Sequence, residues 1–581
     1  AGWPRPNMVY DATADTSKPG GITPPLLIQT ATQAASGTAT QTQAIFAIAE
    51  IGGVLNAFSH GQNAGPTNKL LRWEWDGATT TWTRDDLLAN TYAAGVAIPA
   101  ISKNVAYISG NLVVGYQATR AGHAYTTVGT PANQWSAHED TALATSTNWL
   151  SNFGVSATGY ALLGNRGLYS FTLGADFALV LASVYPSTET VKTFFSWKNS
   201  SASDVLYLLT NKALRQSNTT PNAFSILLNM PGGDAHCALP LGAFMYLSYG
   251  KKGAIREYQW DANGGLVSIE GGLDLADGLP SDMLKLDQGV YDLVETEGYL
   301  YAAMSNNDSQ SRTAVYRRRW PFTTGDGWHA VAKILSSYQA IYHIAVSSAD
   351  DAVTRLHFAQ RLWNSTTDDL YYLAMSGTLS YENGGFVTFP EHIFSTVRGA
   401  SAVTEASIYG DGLSATETIT LAFDKDGAGS FTDFGAFTSS VKTLPASPDA
   451  GVAMNRGIPR ITFARGTTTT ANATYRDIVF KVLVKTGQVL DRSFVVDLSI
   501  SRWTARLVTV DAVRNQLIAL HSTAGQVPFQ TDRVTDATAR QVYVASVDAL
   551  EDSEARRLGL SGKRIDPRHF ATVTVREAIS T

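Results

Sequence analysis

A hairpin-like unit returns seven times in the first two-thirds of this chain, and that recurrence constrains its fold more than any single residue. The copies are AIFAIAEIGGVLNAF (44–58), VAYISGNLVVGYQ (105–117), TGYALLGNRGLYSF (158–171), DVLYLLTNKALRQS (204–217), AFMYLSYGKKGAIREYQW (243–260), GYLYAAMSNNDSQSRTAVYRRRW (298–320) and TRLHFAQRLWNSTTDDLYYLAMS (354–376). Each joins an apolar strand bearing an aromatic to a second strand through a polar or Gly/Asn turn. Their starts lie about 40–60 residues apart, the spacing of one four-stranded propeller blade. Such a blade cannot bury both faces alone, but radial stacking covers each face with its neighbour. The pattern predicts a mainly β protein whose residues 44–400 form a six- or seven-bladed β-propeller. Closure by the N-terminal residues changes the count.

The remaining segments read differently. Residues 1–43 are rich in Pro, Gly, Thr, Ala and Gln, and are expected to form an extended arm. Within it, Leu26-Leu27-Ile28 after Pro24-Pro25 suits an edge strand added to a blade or to another subunit. As an assembly contact, residues 1–40 would be dispensable for the fold. Residues 401–487 hold the alternating strands 417–424, 458–465 and 476–485, with 430–440 between the first two, as in a small immunoglobulin-like or jelly-roll-like sandwich. In residues 488–581, Val510, Val513, Leu517 and Leu520 fall at helical spacing among four strands, which predicts a small α+β module.

Composition narrows the function classes. Forty-four basic and 50 acidic residues give a net charge of −6, so no basic excess favours a nucleic-acid partner. The single cysteine, Cys237, excludes an intramolecular disulfide framework. No apolar run reaches about 18 residues, so no membrane-inserted helix is expected. The opening AGWPRPNMVYD lacks the basic and apolar regions of a signal peptide.

Several constellations carry candidate chemistry. Trp73, Trp75, Trp82, Trp260, Trp320, Trp328 and Trp363 fall near predicted turns. Either they wedge between blades, or Trp73, Trp75, Trp260, Trp320 and Trp328 form an aromatic rim that stacks on sugars or anchors a partner. Asp424 and Asp426 alternate before Gly427 as in loops that offer oxygens to Ca²⁺, the one cofactor considered, although no bidentate Glu follows; a solvated hairpin turn is the other reading. Asp234, His236 and Cys237 sit together without the spacing of a common metal site. Arg317-Arg318-Arg319 reads as a solvated strand end or a phosphate site. A glycosidase needs facing carboxylates, and Asp292, Glu295, Asp350, Asp351, Asp368 and Asp369 are the candidates near the blades. No pairing among them emerges, and no catalytic residue is assigned.

The order of modules, a propeller, then ETITLAFDKDGAGSFTDFGAFTSS, a sandwich ending RDIVFKVLVKTGQVLDRSFVVDLSI, then a helix and QVPFQTD and RQVYVASVD, resembles tail proteins of tailed bacteriophages. The resemblance implies a non-enzymatic structural component of a virion tail, at the tail, its tip or the baseplate, made in the host cytoplasm. Its implied partners are other phage tail proteins, copies of itself in a symmetric assembly, and a host surface glycan or receptor. The alternative on the same scaffold is a carbohydrate-active enzyme acting on host surface polysaccharide.

Overall fold

The computed structural model describes the chain outside residues 1–8, 15–20, 36–38, 64–67, 93–104, 118–120, 127–134, 142, 144–148, 156–157, 164–165, 231–234, 250–254, 271–289, 305–311, 324–326, 335–337, 349–350, 363–367, 395–400, 440, 444–451, 485–489, 498–509, 523–526, 530–539, 550–569 and 578–581. Two compact units emerge, one of residues 1–392, 405–444 and 456–480, the other of 393–404, 445–455 and 481–581.

The first unit contains a seven-bladed β-propeller. Blade one holds four antiparallel strands between Ala39 and Tyr92, and Thr32–Ala35 adds a fifth, parallel to Thr81–Tyr92. Blades two to six are four-stranded antiparallel sheets spanning 105–139, 149–181, 191–229, 235–270 and 290–334. Blade seven takes three strands from 338–374, and its fourth is Gln29–Thr30, paired to Tyr372 and Tyr371. The innermost strand of blade seven, Tyr338–Ser347, touches Ala39–Ile51 of blade one and closes the ring.

Packing explains the closure. Seven apolar clusters occur, one at each junction between consecutive blades. In blade four the second strand, Asp204–Thr210, is buried along nearly all its length, whereas the outermost strand, Phe224–Asn229, alternates between half-buried and exposed. Burial of both faces of the middle strands supplies the hydrophobic drive for stacking.

The N-terminal residues do not form a separable arm. Val9–Asp11 pairs with Phe386–Thr388 in one six-stranded sheet, and Thr13–Ala14 and Ile22–Thr23 enter a second. Leu26 N–H then donates to Val331 O in blade six at 2.8 Å, and Leu27 N–H to Ser380 O at 2.9 Å. Leu26 and Ile28 are buried in the core between blades six and seven. The expectation that residues 1–40 are dispensable for the fold is therefore corrected: the Pro/Gly-rich composition hides a strap whose short strands enter both large sheets and two blades.

The first large sheet runs Val9–Asp11, Phe386–Thr388, Arg456–Ala464, Thr418–Lys425, Phe431–Phe437, with His392–Ile393 also paired to Arg456–Ala464; the second runs Thr13–Ala14, Ile22–Thr23, Thr474–Val484, Ser401–Asp411, Val441–Thr443, with Val452–Ala453 also paired to Ser401–Asp411. Rings from the two sheets meet where Phe423 lies 5.3 Å from Phe480. In the second unit, strands Leu490–Asp497, Phe570–Glu577, Arg540–Ala549 and Val527–Phe529 form an antiparallel sheet in that order. The helix Val510–Ser522 packs Val513 and Leu517 against Ala571 and Val547 of that sheet.

Candidate ligand-binding site

Among the described residues, the innermost strands of every blade but the second share an irregularity. In blade four, Val191 pairs with Thr210 and Thr193 with Leu209, which leaves Lys192 as an extra residue. Blade five repeats this with Ala235–Tyr249 and Cys237–Ser248 around His236, and blade six with Val290–Met304 and Asp292–Ala303 around Tyr291. In blade seven, Ile341–Gln360 and His343–Ala359 flank Tyr342. Blades one and three place Phe46 and Leu150 in the same way. A β-bulge bends its strand and re-aims one side chain. Here the flanking residues Ala235, Cys237, Val290, Asp292, Ile341 and His343 are all buried, while His236 and Tyr291 between them stay half-buried and Tyr342 is buried like its flanks.

The bulged side chains of blades five to seven form a continuous series. The His236 ring lies 6.4 Å from Tyr291, and Tyr291 lies 4.9 Å from Tyr342, both edge-to-face. Lys192 holds the equivalent position on blade four, and Ala235 N–H donates to Asn211 O at 3.4 Å, linking blades four and five at that level. Lys192 is half-buried, and burial pulls its ammonium below the usual lysine range. Among the described residues no hydrogen bond or ion pair reaches that ammonium.

Beneath the series, Asp292 is 1% exposed and accepts from Leu293 N–H at 2.8 Å and from Ile344 N–H of blade seven at 2.9 Å. His343 Nδ1 lies 4.0 Å from the same carboxylate. Asp292 follows the Tyr291 bulge and Ile344 lies two residues after Tyr342, so this carboxylate sets the spacing of the two phenols. Similar inter-blade bonds recur: Phe177 N–H to Asp140 at 2.6 Å, and Phe322 N–H to Glu257 at 2.8 Å.

The rim, one of the two readings of the tryptophans, is corrected at Trp73, Trp75 and Trp328. Trp73, Trp75 and Trp328 are at most 3% exposed, and Trp82 is fully buried. Trp75 and Trp82 pack at the junction of blades one and seven, where the Arg355 guanidinium lies 5.6 Å from the Trp75 ring and is held by Asp351 at 2.5 and 2.6 Å. That guanidinium also holds the Asp351 carboxyl below its usual range. Trp260 is half-buried, stacked on Trp197 at 6.2 Å with its N–H on Lys198 O, and Trp320 packs against Phe244. Indoles near turns in the sequence are thus drawn into blade junctions, where their area is worth most. Trp363 lies outside the described residues.

The other candidates also find plain structural places. Asp424 accepts from Gly429 N–H at 3.0 Å, and Asp426 from Arg456 N–H at 3.1 Å, so both serve the hairpin turn. Among the described residues no three metal-ligating side chains gather. Asp234 lies outside the described residues, while Cys237 points into the core between blades five and six. Arg317 and Arg318 are buried, not solvated, and lie over the Tyr299 and Phe322 rings at 5.1 and 4.2 Å; only Arg319 is exposed. Of the carboxylates considered for glycoside cleavage, Asp292 is committed to backbone N–H groups, Glu295 accepts from Gly298 N–H, Asp351 binds Arg355, and Asp350 lies outside the described residues.

No protein-family model and no curated protein matches the chain. Solved structures similar to it include a β-propeller. The WD40 β-propeller domain of Doa1 is 10% identical and covers 59% of this chain and 96% of its own, with a TM-score of 0.36. YCF48 from Cyanidioschyzon merolae is 11% identical over 58% of this chain and 97% of its own, at 0.35. A glycoside hydrolase is 12% identical over 77% of this chain and 99% of its own, at 0.28. These likenesses carry nothing about activity or partners, and the blade count rests on the chain's own sheets.

Proposed function

We propose that this protein is a structural component of a bacteriophage virion tail, at the tail, its tip or the baseplate, and that its propeller contacts the host surface without catalysing a reaction. The observation that carries this reading is the strap of residues 9–35, which runs through both large sheets and two blades of the first unit. A part that must stay folded in an extracellular particle gains from a ring that leaves few open edges and needs no disulfide. The order of modules in the sequence supports the same reading.

The test is immunogold electron microscopy of particles from a lysate that contains this chain, with antibody against residues 105–260. Gold at the tail or tip is the expected result. Unlabelled particles, both intact and disrupted, from an antigen-positive lysate would sink the proposal.

A further inference from the structure

We propose that the bulged residues Lys192, His236, Tyr291 and Tyr342 of blades four to seven bind an acidic sugar residue of a surface polysaccharide. The inference deepens the host-surface role proposed above and rests on it only for the origin of the glycan.

Four bulges on successive innermost strands bring four polar side chains to one level of the ring. The half-buried Tyr291 phenol and His236 imidazole offer ring faces for the C–H side of a pyranose, with O–H and N–H groups for its hydroxyls, and the buried Tyr342 ring backs Tyr291 edge-to-face. Lys192 adds a half-buried ammonium that no described residue neutralises, and an anionic ligand group would form a charge-assisted hydrogen bond there. A bare phosphate or sulfate would leave the ring faces unused. A nucleic acid fits poorly with a chain of net charge −6. A carboxylated sugar uses both features together. Asp292 and the core around Val290 and Ile341 hold the bulges in place, so the site is preorganised.

The full chain is applied to an array of uronic-acid and sialic-acid oligosaccharides, each beside its carboxyl-reduced counterpart. The expected result is retention of at least one acidic oligosaccharide, with its reduced form bound about tenfold or more weakly. Lys192→Met should weaken the acidic ligand about tenfold, and Tyr291→Leu should weaken both forms. Lys198→Met, which alters an exposed lysine paired with Asp204, should change neither. Thermal melting of each variant confirms folding, and the comparison of acidic with reduced ligand on the unaltered protein needs no variant. No binding across the array, or equal binding of acidic and reduced forms, would overturn the proposal. Binding unchanged in folded Lys192→Met would do the same. Gold labelling of particles reads the virion role separately, so failure of one is distinguishable from failure of the other.

Discussion

Ile344 N–H donates to Asp292 Oδ2 at 2.9 Å, a bond from the innermost strand of blade seven to that of blade six. Asp292 also accepts from its neighbour Leu293. Asp292→Ala leaves a buried N–H of another blade without its acceptor and should destabilise the first unit by about 2–3 kcal/mol. Asp292→Asn keeps an acceptor oxygen and should cost less. Denaturant titration ranks the two variants, and equal losses would refute the assignment of Asp292 as an inter-blade latch.

The strap is tested by truncation. Removing residues 1–31 takes away the fourth strand of blade seven and buried Leu26 and Ile28, and should give insoluble or protease-sensitive protein. Leu26→Ala alone should cost about 2–4 kcal/mol. A soluble, cooperatively melting chain without residues 1–31 would contradict the strap's role.

Histidine burial predicts an acid limit. Burial, with repulsion from His138, lowers His123 from 6.5 to about 4, and burial beside Arg355 lowers His357 to about 3. Below about pH 6.5 the unfolded chain takes up protons that the folded chain refuses, so stability falls as pH drops from about 6.5 toward 4, and for His357 on toward 3. Gly174 N–H donates to His123 Nε2 at 3.2 Å. His123→Gln removes the titration while offering an acceptor, so its melting temperature should decline less steeply over that window. Parallel curves would exclude His123 as a contributor.

Close backbone approach makes Gly410 irreplaceable. A Cβ there would sit 2.1 Å from Thr474 O, and a neighbouring backbone cannot yield as a flexible side chain does. Gly410→Ala should destabilise by about 3 kcal/mol, at the upper end of ordinary overpacking. Gly53→Ala, whose Cβ would meet nothing within 4 Å, bears only the cost of its φ of +78° and serves as the comparison. Equal effects in the two variants would show that Gly410 is not constrained by packing.

Much of the propeller was legible because of where burial falls within a blade. The recurring segments at 158–171, 204–217, 243–260, 298–320 and 354–376 are the second and third strands of blades three to seven, the strands covered on both faces. The first two segments instead mark the innermost and second strands of blades one and two. Helical spacing at 510–522 matches the helix Val510–Ser522. Apart from the edge strand suggested by Leu26-Leu27-Ile28, the strap escaped notice because two- to four-residue strands carry no periodicity. The bulge series escaped as well, since a bulge is a matter of register and Lys, His and Tyr share no sequence signature. Proximity to turns left two readings of the tryptophans open, and the sequence does not show that blade seven covers Trp75.

Blade seven waits for its own beginning. Gln29 pairs with Tyr372, so this segment has no partner strand there until about 340 further residues have been made. At roughly 5–20 residues per second that interval lasts tens of seconds, and pairing so distant is slow in its own right. Every chain interrupted before Tyr372 therefore remains an open ring with an unpaired edge, visible to proteases and chaperones. Ring closure thus requires the propeller to have been made through Tyr372.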